Sequence, residues 1–487
     1  MTSSAIAISF IFGIVLAGTA LGVRAGSGHK MNLEEWSVAG RSFGAIFVWL
    51  LMAGEIYTTF AFLGASGWAY SRGAPALYIL AYITLGYVVS FYILPSVWEL
   101  GRRHGLQTQS DFFAWRYGSK ALTLTVSLAG VVFLIPYLQL QLTGLGIIVQ
   151  VASFDSIPRA TSMVLATALV VVFVLAGGMR AVAWVSVLKD VLMIVVALVI
   201  GIYVPAHYFG GVTPMFDRLV QAHAAHLVLP GSTKTMNRGW FISTVLLSAL
   251  GFYMWPHTFS AAFTARNSET LRRNAVMTPL YTLSLLFIFF AGFAALLLLP
   301  GLSNGDMSLL LLARNTFPPW FLGIIGGAGA LTAMVPSAII LLAASTLAAK
   351  NVVRPLFAPH MSDQGAARLS RALVPLLSLL CLYFALHSST TLVSLLLLGY
   401  AGVTQFFPGV VLGLFWPAVT ATGVSAGLVV GIALEAALLI TKHDPLCGVN
   451  AGFLALLANI MIVVLTSLLA GSRAQQPMRS NRGEAVS

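Results

Sequence analysis

The sequence predicts an all-α integral membrane protein with about thirteen transmembrane helices. Of the 487 residues, 59% are hydrophobic and only 8% are charged, whereas soluble chains carry about 25% charged residues. Apolar runs of about 20 residues recur along most of the chain, and a helix of that length crosses a bilayer. A water-soluble chain of this size would need far more polar surface, so the composition excludes a soluble protein.

The predicted spans follow from these apolar runs, taken in chain order. The runs lie near residues 4–23, 44–70, 75–99, 123–151, 160–178, 182–206, 239–264, 276–300, 321–348, 372–388, 391–416, 421–440 and 446–470. The boundary at 177–184 is the least certain, because only a very short turn separates two runs there. No basic segment precedes the first run, so we interpret it as a permanent span and not as a cleavable signal. We predict one membrane domain over residues 1–471 and a short, basic, disordered tail over 472–487.

The loop charges predict how the chain is oriented in the membrane. The formal net charge is +12, but the basic residues lie in short loops between apolar runs, where they set orientation and do not indicate nucleic-acid binding. With the N-terminus outside, most of the 26 Lys and Arg residues fall in cytoplasmic segments, as the positive-inside rule requires. We therefore predict a multi-pass protein of the plasma (inner) membrane, with its N-terminus outside and its C-terminus in the cytoplasm.

Four charged residues fall inside predicted spans: Glu55, Lys189, Asp190 and Glu435. A charge at mid-membrane costs roughly 2.5–3.5 kcal/mol or more, so it needs a partner or a wet cavity. Glu55 lies in the stretch 52–59, where a glycine and two threonines favour local unwinding of the helix, with carbonyls facing a cavity. Lys189 and Asp190 form either a functional pair or a structural ion pair. For Glu435 we favour a structural role.

A second interrupted helix is predicted at 251–257, in the span that begins near residue 239. Gly251 loosens the helical turn, and Pro256 removes a helix hydrogen bond. Five spans separate its beginning from that of the span containing Glu55, as expected of two five-helix halves related by an inverted repeat. Paired interrupted helices in matching positions point to a transporter's substrate site. The alternative is an ordinary proline kink, with His257 a core histidine.

Several stretches share their pattern with one known family. The stretch 35–42 reads E-W-S-V-A-G-R-S, 108–118 holds T-Q-S-D-F and then R-Y-G, 175–184 reads L-A-G-G-M-R-A-V-A-W, and 62–67 and 405–416 follow the same pattern, with Gly423 and Gly427. In this order they resemble the sodium/solute symporter family over residues 33–430. The resemblance implies a leucine-transporter-type fold, in which ten core helices form two inverted repeats, here about 44–206 and 239–416. The spans 4–23, 421–440 and 446–470 are then peripheral.

The resemblance also implies a sodium site. Family members bind Na⁺ with backbone carbonyls where the first core helix unwinds, and these positions correspond to Gly54 and Tyr57. On the eighth core helix the family pattern corresponds to Ala333, Pro336 and Ser337, which offer carbonyls and a hydroxyl. Na⁺ is a hard ion that prefers oxygen ligands, which agrees with this set. An ordinary kinked helix at Pro336 is the alternative.

The sequence departs from the family pattern next to this site. Ser186 stands where the family usually has Asp, and Asp190 lies one helical turn further on, where it can supply the missing carboxylate. Lys189 supports a different hypothesis, because a lysine ammonium can occupy a cation site and make transport independent of Na⁺. A buried lysine can also titrate, which suits coupling to H⁺. Both coupling ions therefore stay open.

We predict a secondary active symporter, and not an enzyme, that couples Na⁺ entry to uptake of a small organic solute. The stretches 255–257, 264–266 and 271–273 resemble the monocarboxylate-permease branch, which implies a short monocarboxylate such as lactate, pyruvate or acetate. The candidate substrate contacts are Glu55, Tyr57, Thr58, Thr59, Gln141, Tyr253, Trp255 and His257. Glu55 fits an anionic substrate only if it is protonated or paired, and Gln141 can instead join two helices.

Three alternatives remain: an H⁺-coupled symporter of the same fold, a non-transporting membrane sensor or channel, and an integral-membrane enzyme. The enzyme is disfavoured because the predicted spans hold no metal-ligand cluster and no nucleophile–base pair, while His223 and His226 lie in a polar external loop. Cys381 and Cys447 support neither a disulfide framework nor a metal cluster. The expected partners are the small solute and the lipid bilayer, without nucleic acid or an obligate protein partner.

Overall fold

The computed structural model describes residues 2–26, 32–54 and 56–471, and its regular secondary structure is helical. In lipid, backbone N–H and C=O groups can all be paired only within helices or closed barrels, which explains why the secondary structure is helical. In chain order the α-helices are α1 (Ser3–Gly26), α2 (Leu33–Val38), α3 (Ala45–Gly54), α4 (Ala65–Ser71), α5 (Tyr78–His104), α6 (Gln109–Tyr117), α7 (Lys120–Ala152), α8 (Arg159–Phe209), α9 (Val212–His223), α10 (Arg238–Gly251), α11 (Pro256–Phe263), α12 (Ser268–Thr282), α13 (Leu285–Leu298), α14 (Ser308–Thr316), α15 (Pro319–Leu347), α16 (Arg354–Phe357), α17 (Asp363–His387), α18 (Leu392–Val403), α19 (Phe407–Phe415), α20 (Ala421–Ile440) and α21 (Ala451–Gly471). Glu55 and the predicted tail 472–487 lie outside the described residues.

Within the described residues, ten helical segments are long and apolar enough to cross a membrane, or eleven if α10 and α11 form one bent span. The expected count of about thirteen is not confirmed. One difference is that the predicted spans 160–178 and 182–206 both belong to the 51-residue helix α8. The other is that the predicted span 44–70 is divided among α3, a π-helical turn and α4, so no single helix reaches spanning length there.

Helix α8 consists of two arms that meet at Gly178. A straight helix of this length would extend about 76 Å, more than twice the ~30 Å hydrocarbon core. Gly178 has φ 57° and ψ −156°, a conformation that residues with a Cβ avoid. A Cβ there would also lie 3.3 Å from the Trp36 ring. The short turn that the sequence predicts at 177–184 is therefore a kink at one glycine.

The first interrupted helix begins with α3 and resumes with α4. Helix α3 ends at Gly54, and Ile56 N–H then donates to the Ala53 carbonyl in a tight turn. A π-helical turn, Phe60–Gly64, leads into α4. The described side chains on both sides of the break are buried. The interruption lies where the glycine and threonine pattern predicts it.

The second interruption separates α10 from α11. Helix α10 ends at Gly251, α11 begins at Pro256, and the two helices are bent by 44°. Trp255 has an extended backbone, with φ −64° and ψ 131°. Pro256 occupies the first helical position, where its missing N–H costs no helix hydrogen bond. The break predicted at 251–257 is confirmed.

Helix α15 is buried from Ile325 to Leu347 and packs against α1, α7 and α8. Its glycines allow the approach of α1, because a Cβ at Gly323, Gly326 or Gly327 would lie 2.6–2.7 Å from side chains of that helix. Helices in a membrane have no hydrophobic driving force for association. Small residues promote their packing instead, because they let the backbones come close. Helix α8 packs against α3, and helix α15 packs against α3 and α11, so both helices contact the interrupted segments.

Candidate functional site

Two buried charges of α8 lie at the end of α3. Lys189 Nζ donates to the Gly54 carbonyl at 2.7 Å and to the Tyr57 carbonyl at 3.3 Å. It also forms an ion pair with Asp190 Oδ1 at 2.9 Å, and both side chains are at most 1% exposed. The same Asp190 oxygen accepts a hydrogen bond from Tyr281 at 2.9 Å. The Lys189 ammonium therefore bonds to the two carbonyls that the family resemblance assigns to Na⁺.

The interruption after α3 supplies acceptors for this buried ammonium. The last carbonyls of a helix have no partner within it, so the Gly54 carbonyl is available to another donor. Burying two charges costs several kcal/mol per ion unless close geometry and further hydrogen bonds compensate. A Cβ at Gly54 would lie 2.9 Å from Lys189 Nζ. Glycine at this position thus permits the ammonium to reach the backbone.

Neighbouring side chains complete the surroundings of the ion pair. Ser186 Oγ donates to the Val182 carbonyl at 2.9 Å, and it would lie 3.6 Å from a Cβ placed at Gly54. The Tyr57 hydroxyl shares a hydrogen bond with Ser284. The rings of Tyr57 and Tyr281 meet edge to face at 4.9 Å. The ion pair is thereby enclosed by polar groups from α8, from the first interruption and from the region where α12 meets α13.

The three α15 residues predicted as sodium ligands lie in a continuous helix. Helix α15 runs through Pro336 without interruption. Ser337 Oγ donates to the Ala333 carbonyl at 2.7 Å, and both residues are fully buried. Because proline has no N–H, the carbonyl of Thr332 loses its usual helical donor. The Ser337 hydroxyl oxygen keeps its own lone pairs, whereas the Ala333 carbonyl already accepts the hydrogen of that hydroxyl.

A small aromatic cavity lies between the two interrupted helices. Its volume is about 10 Å³, room for about one water molecule. Its wall is made by Ile56, Phe60, Tyr82, Tyr137, Phe252, Trp255, His257, Thr258, Leu396 and Tyr400. Of the predicted substrate contacts, Trp255 and His257 lie in this wall. A solute larger than water can bind only after side chains in the wall move apart.

Ring contacts close this cavity. The Tyr137 ring lies 4.8 Å from Trp255 and 5.3 Å from His257, measured between centroids. The Tyr400 ring meets Trp255 edge to face at 5.3 Å. Hydroxyl, indole and imidazole groups place donors at the edge of an apolar wall. Such a wall suits a solute with a small apolar or planar body and one polar group.

Gln141 joins α7 to the first interruption. Thr59 Oγ1 donates to Gln141 Oε1 at 2.8 Å, and Thr59 N–H donates to the same oxygen at 3.3 Å. Gln141 Nε2 is buried and has no hydrogen-bond partner within the described part of the chain. A buried amide N–H of this kind can donate a hydrogen bond to a bound solute or to water. Gln141 therefore joins two segments of the chain, which was the alternative to substrate contact in the sequence analysis. Its Nε2 group is still available as a donor.

Among the described residues, the other predicted contacts do not line the cavity. Thr58 is buried, and its hydroxyl accepts a hydrogen bond from Phe60 N–H at 3.2 Å, which stabilises the local turn. The Tyr253 ring packs against Tyr87, with centroids 6.2 Å apart. Glu55 is outside the described residues, so its place in the site stays a prediction. Glu435 is 5% exposed on α20, a helix that packs against α21.

Helix α6 connects the second interruption to the segment that follows α15. Gln109 Nε2 donates to the Met254 carbonyl at 2.7 Å. Asp111 pairs with Lys350 Nζ at 2.7 Å and accepts a hydrogen bond from Asn351 at 2.9 Å. Burial alone would raise the pKa of Asp111, but the ammonium and the hydrogen bonds outweigh it and hold that pKa below its usual value. The loop helix thus restrains the second interruption.

Sequence reasoning missed several aromatic and polar side chains of the site. Tyr137 lies one helical turn before Gln141, so helical spacing could have found it. No local sequence pattern marks three other tyrosines of the site, Tyr82, Tyr281 and Tyr400. Each one reaches the site because helices far apart in sequence pack together. Their positions depend on tertiary structure.

The sequence matches the model of the sodium:solute symporter family over residues 36–431. An uncharacterised symporter of Bacillus subtilis (strain 168), YhjB, is 47% identical over 95% of this chain and 97% of its own length. A monocarboxylate transport permease protein of Rhizobium johnstonii is 28% identical over 97% of this chain and 98% of its own. The sodium/pantothenate symporter of Escherichia coli (strain K12) is 25% identical over 91% and 90%.

Solved structures with the same fold are also transporters. A Na⁺-coupled sialic acid symporter in a substrate-bound, outward-open state superposes with a TM-score of 0.81 at 17% identity, over 96% of this chain and 98% of that one. A nucleobase-cation-symport-1 family transporter in a closed conformation superposes with a TM-score of 0.58 at 13% identity, over 90% and 95%. At these identities the likeness shows the fold, which is of the leucine-transporter type.

Proposed function

Because this chain belongs to the sodium:solute symporter family, we propose that it is a secondary active symporter that couples cation entry to uptake of a small organic solute. It is a multi-pass membrane protein. The observation that carries the proposal is the pairing of two interrupted helices around a closed cavity, beside a buried cation position. A carrier of this fold exposes such a site to one side of the membrane at a time.

The solute that we propose is a short monocarboxylate. The wall of the cavity combines aromatic rings with hydroxyl, indole and imidazole groups, and no acidic residue lines it within the ranges that the structure describes. Donors of this kind can bind a carboxylate, whereas a substrate ammonium would need acceptors. The similarity to the monocarboxylate transport permease of Rhizobium johnstonii supports the same class.

Sodium is the coupling ion that the family relationship supports. The proposed ligands are oxygens from three helical segments: Gly54, Tyr57, Ser186, Asp190, Ala333, Pro336 and Ser337. For Na⁺ to reach the first two carbonyls, the ammonium of Lys189 must first move away, because two cations cannot share the same lone pairs. Binding of Na⁺ would then be coupled to a movement of Lys189.

A second candidate, Na⁺-independent symport with H⁺ as the coupling ion, is favoured by the position of Lys189. Its ammonium already bonds to the Gly54 and Tyr57 carbonyls at 2.7 and 3.3 Å. A resident ammonium can hold the first interruption in place as a bound Na⁺ would. In this case the protein needs no external Na⁺ to complete the site.

Uptake of labelled lactate, pyruvate and acetate into proteoliposomes tests the function. We expect accumulation of one of these solutes above its external concentration when an inward cation gradient is imposed. Equal uptake with and without any gradient would reject symport and favour a channel or sensor. At fixed pH, replacing external Na⁺ by choline abolishes uptake if Na⁺ is the coupling ion and leaves it unchanged if it is not.

Two matched substitutions separate the coupling hypotheses. Ser337→Ala removes a hydroxyl from α15, and it should weaken stimulation by Na⁺ only if Na⁺ binds there. Lys189→Ala removes the resident ammonium, and it should abolish uptake in Na⁺-free buffer only if the ammonium replaces the ion. Unchanged sodium dependence in Ser337→Ala would reject the proposed sodium ligands on α15.

A further inference from the structure

A large open groove lies on the predicted cytoplasmic side, outside the solute site. Its volume is about 660 Å³. One wall comes from the end of α6 and the first turn of α7, and the other comes from the segment around α16. The residues in the wall are Ala114, Gly118, Ser119, Lys120, Ala121, Thr123, Leu124, Lys350, Asn351, Arg354, Pro355, Leu356 and Pro359.

The groove combines positive charge with an apolar floor. Three cations, Lys120, Lys350 and Arg354, line it, and no acidic residue does so in the described ranges. Lys350 is paired with Asp111, and Arg354 donates to Asp363 at 2.8 Å. Lys120 is exposed and makes no ion pair with any described residue. The groove therefore keeps at least one uncompensated cation.

The N-terminus of α7 adds to the positive potential. This helix has 33 residues and no acidic residue in its first turn. Ser119 accepts a hydrogen bond from Leu122 N–H at 3.3 Å, and the N–H groups of the first two residues, Lys120 and Ala121, have no partner within the helix. The positive end of the helix dipole lies at the N-terminus, so a lysine there is electrostatically unfavourable. A bound anion would compensate both charges, which agrees with an anion site at this position.

An apolar face continues from the groove along α7. Leu124 lines the groove, and Leu128 and Val132 follow at intervals of four residues, so that the three lie on one side of the helix. Leu128 is 48% exposed and Val132 is 55% exposed. This side faces the hydrocarbon region, since an exposed apolar stripe on a membrane helix contacts lipid chains. A molecule with an anionic head and a long apolar chain matches both parts of the surface.

We propose that this groove binds an anionic phospholipid of the cytoplasmic leaflet. The phosphate group contacts Lys120 and the first turn of α7, near Lys350 and Arg354, and one acyl chain lies along the Leu124–Leu128–Val132 side of α7. Basic pockets at the cytoplasmic ends of membrane helices are suited to anionic head groups. The segment 472–487 is a less suitable occupant of the groove. It carries three arginines and one glutamate, so it is positively charged, as the groove is.

Lipid titration of the purified full-length protein tests the proposal. Delipidated protein in detergent is titrated with dioleoyl phosphatidylglycerol and, separately, with dioleoyl phosphatidylcholine, and bound lipid is counted by native mass spectrometry. We expect tighter binding of phosphatidylglycerol, and we expect that binding to weaken as salt rises because the contact is electrostatic. Equal binding of the two lipids would overturn the proposal.

Matched charge-removing variants locate the site. Lys120→Gln should weaken phosphatidylglycerol binding about fivefold, since one cation near an anionic head group contributes on the order of 1 kcal/mol. Arg272→Gln is the control, because Arg272 is exposed on α12 and does not line the groove. Unchanged binding in Lys120→Gln would overturn the proposal.

Two further measurements test whether the groove binds a free anion or the segment 472–487 instead of a lipid. Displacement of the lipid by inorganic phosphate alone would show a free-anion site and overturn the lipid assignment. If the full-length chain binds no phosphatidylglycerol and a variant ending at Gly471 binds it, the segment 472–487 occupies the groove and the assignment is likewise wrong. A Leu128→Asn variant checks the chain path, because it should weaken lipid binding without changing the charge of the groove.

Discussion

At the scale of single residues, Gly54 has little room for substitution. An added Cβ would lie 2.9 Å from Lys189 Nζ and 3.6 Å from Ser186 Oγ. Any residue larger than glycine must displace the ammonium from the carbonyls that it contacts. A substitution at Gly54 would therefore change the cation site itself, because the same carbonyls are the proposed ligands of Na⁺.

We expect Gly54→Ala to lower the initial rate of solute uptake at least tenfold, which is about 1.4 kcal/mol in free energy. The reason is the loss of the contact between Lys189 and the end of α3. Gly13→Ala is a suitable control, since nothing lies within 4 Å of a Cβ at Gly13. Uptake is measured per amount of purified protein in proteoliposomes, and wild-type uptake by Gly54→Ala would contradict the described geometry.

Asp306 is a second residue with a testable consequence. It is 3% exposed in the connection before α14, outside the membrane-spanning helices. Burial raises the pKa of this carboxyl from 3.8 to about 6, although the Leu392 N–H that donates to it and the nearby Arg159 oppose the shift. The folded protein therefore binds this proton more tightly than the unfolded chain does.

We predict that Asp306 makes the protein less stable as pH rises from about 4 to about 6. Between these values the unfolded chain has lost the proton and the folded state has kept it, so the free energy of unfolding falls by roughly 2–3 kcal/mol. Asp306→Asn cannot ionise and should flatten this part of the profile. Melting temperatures between these pH values measure the effect, with the exposed Asp217→Asn as control. An equally steep profile in both variants would argue against the prediction.

At the scale of secondary-structure elements, α6 and the segment after α15 act together through Asp111 and Lys350. Both side chains are less than one-fifth exposed, so their ion pair at 2.7 Å is only partly screened by solvent. Helix α6 also bonds to the second interruption through Gln109. The pair should therefore help to keep α6 and the segment after α15 together on the predicted cytoplasmic side.

We expect Asp111→Asn to open that side more often. Loss of 1–2 kcal/mol would change the closed-to-open ratio by roughly five- to thirtyfold. A cysteine at position 110, which is buried in the structure, reports opening through its rate of maleimide labelling in a Cys447→Ser background. Labelling should be faster with Asp111→Asn than with Asp111 intact. If both labelling rates are equal, the ion pair does not hold this side closed.

At the scale of the whole molecule, the distribution of Lys and Arg predicts the orientation. The rule that places basic loops in the cytoplasm puts the N-terminus outside and the C-terminus inside. Green fluorescent protein fused after residue 487 should fluoresce, because it folds in the cytoplasm. The same fusion with alkaline phosphatase should be inactive. Active phosphatase would reverse the predicted orientation.

The sequence could predict those parts of the fold that have a local cause. Glycine, threonine and proline indicate both helix interruptions, and Lys189 and Asp190 attract attention because charges are rare in membrane spans. The bond between Lys189 and the Gly54 carbonyl could not be predicted from spacing, because it joins residues 135 positions apart. The span count is not confirmed for a related reason: whether Gly178 ends a helix or kinks it depends on how the neighbouring helices pack.

The closed aromatic cavity has a consequence for the bilayer as an insulator. A carrier that left a continuous file of water between its two sides would let protons and small ions leak through it. Between the two interrupted helices the described residues leave room for about one water molecule. A cavity of that size cannot hold a continuous file of water, so these rings would block such a leak at the proposed solute site.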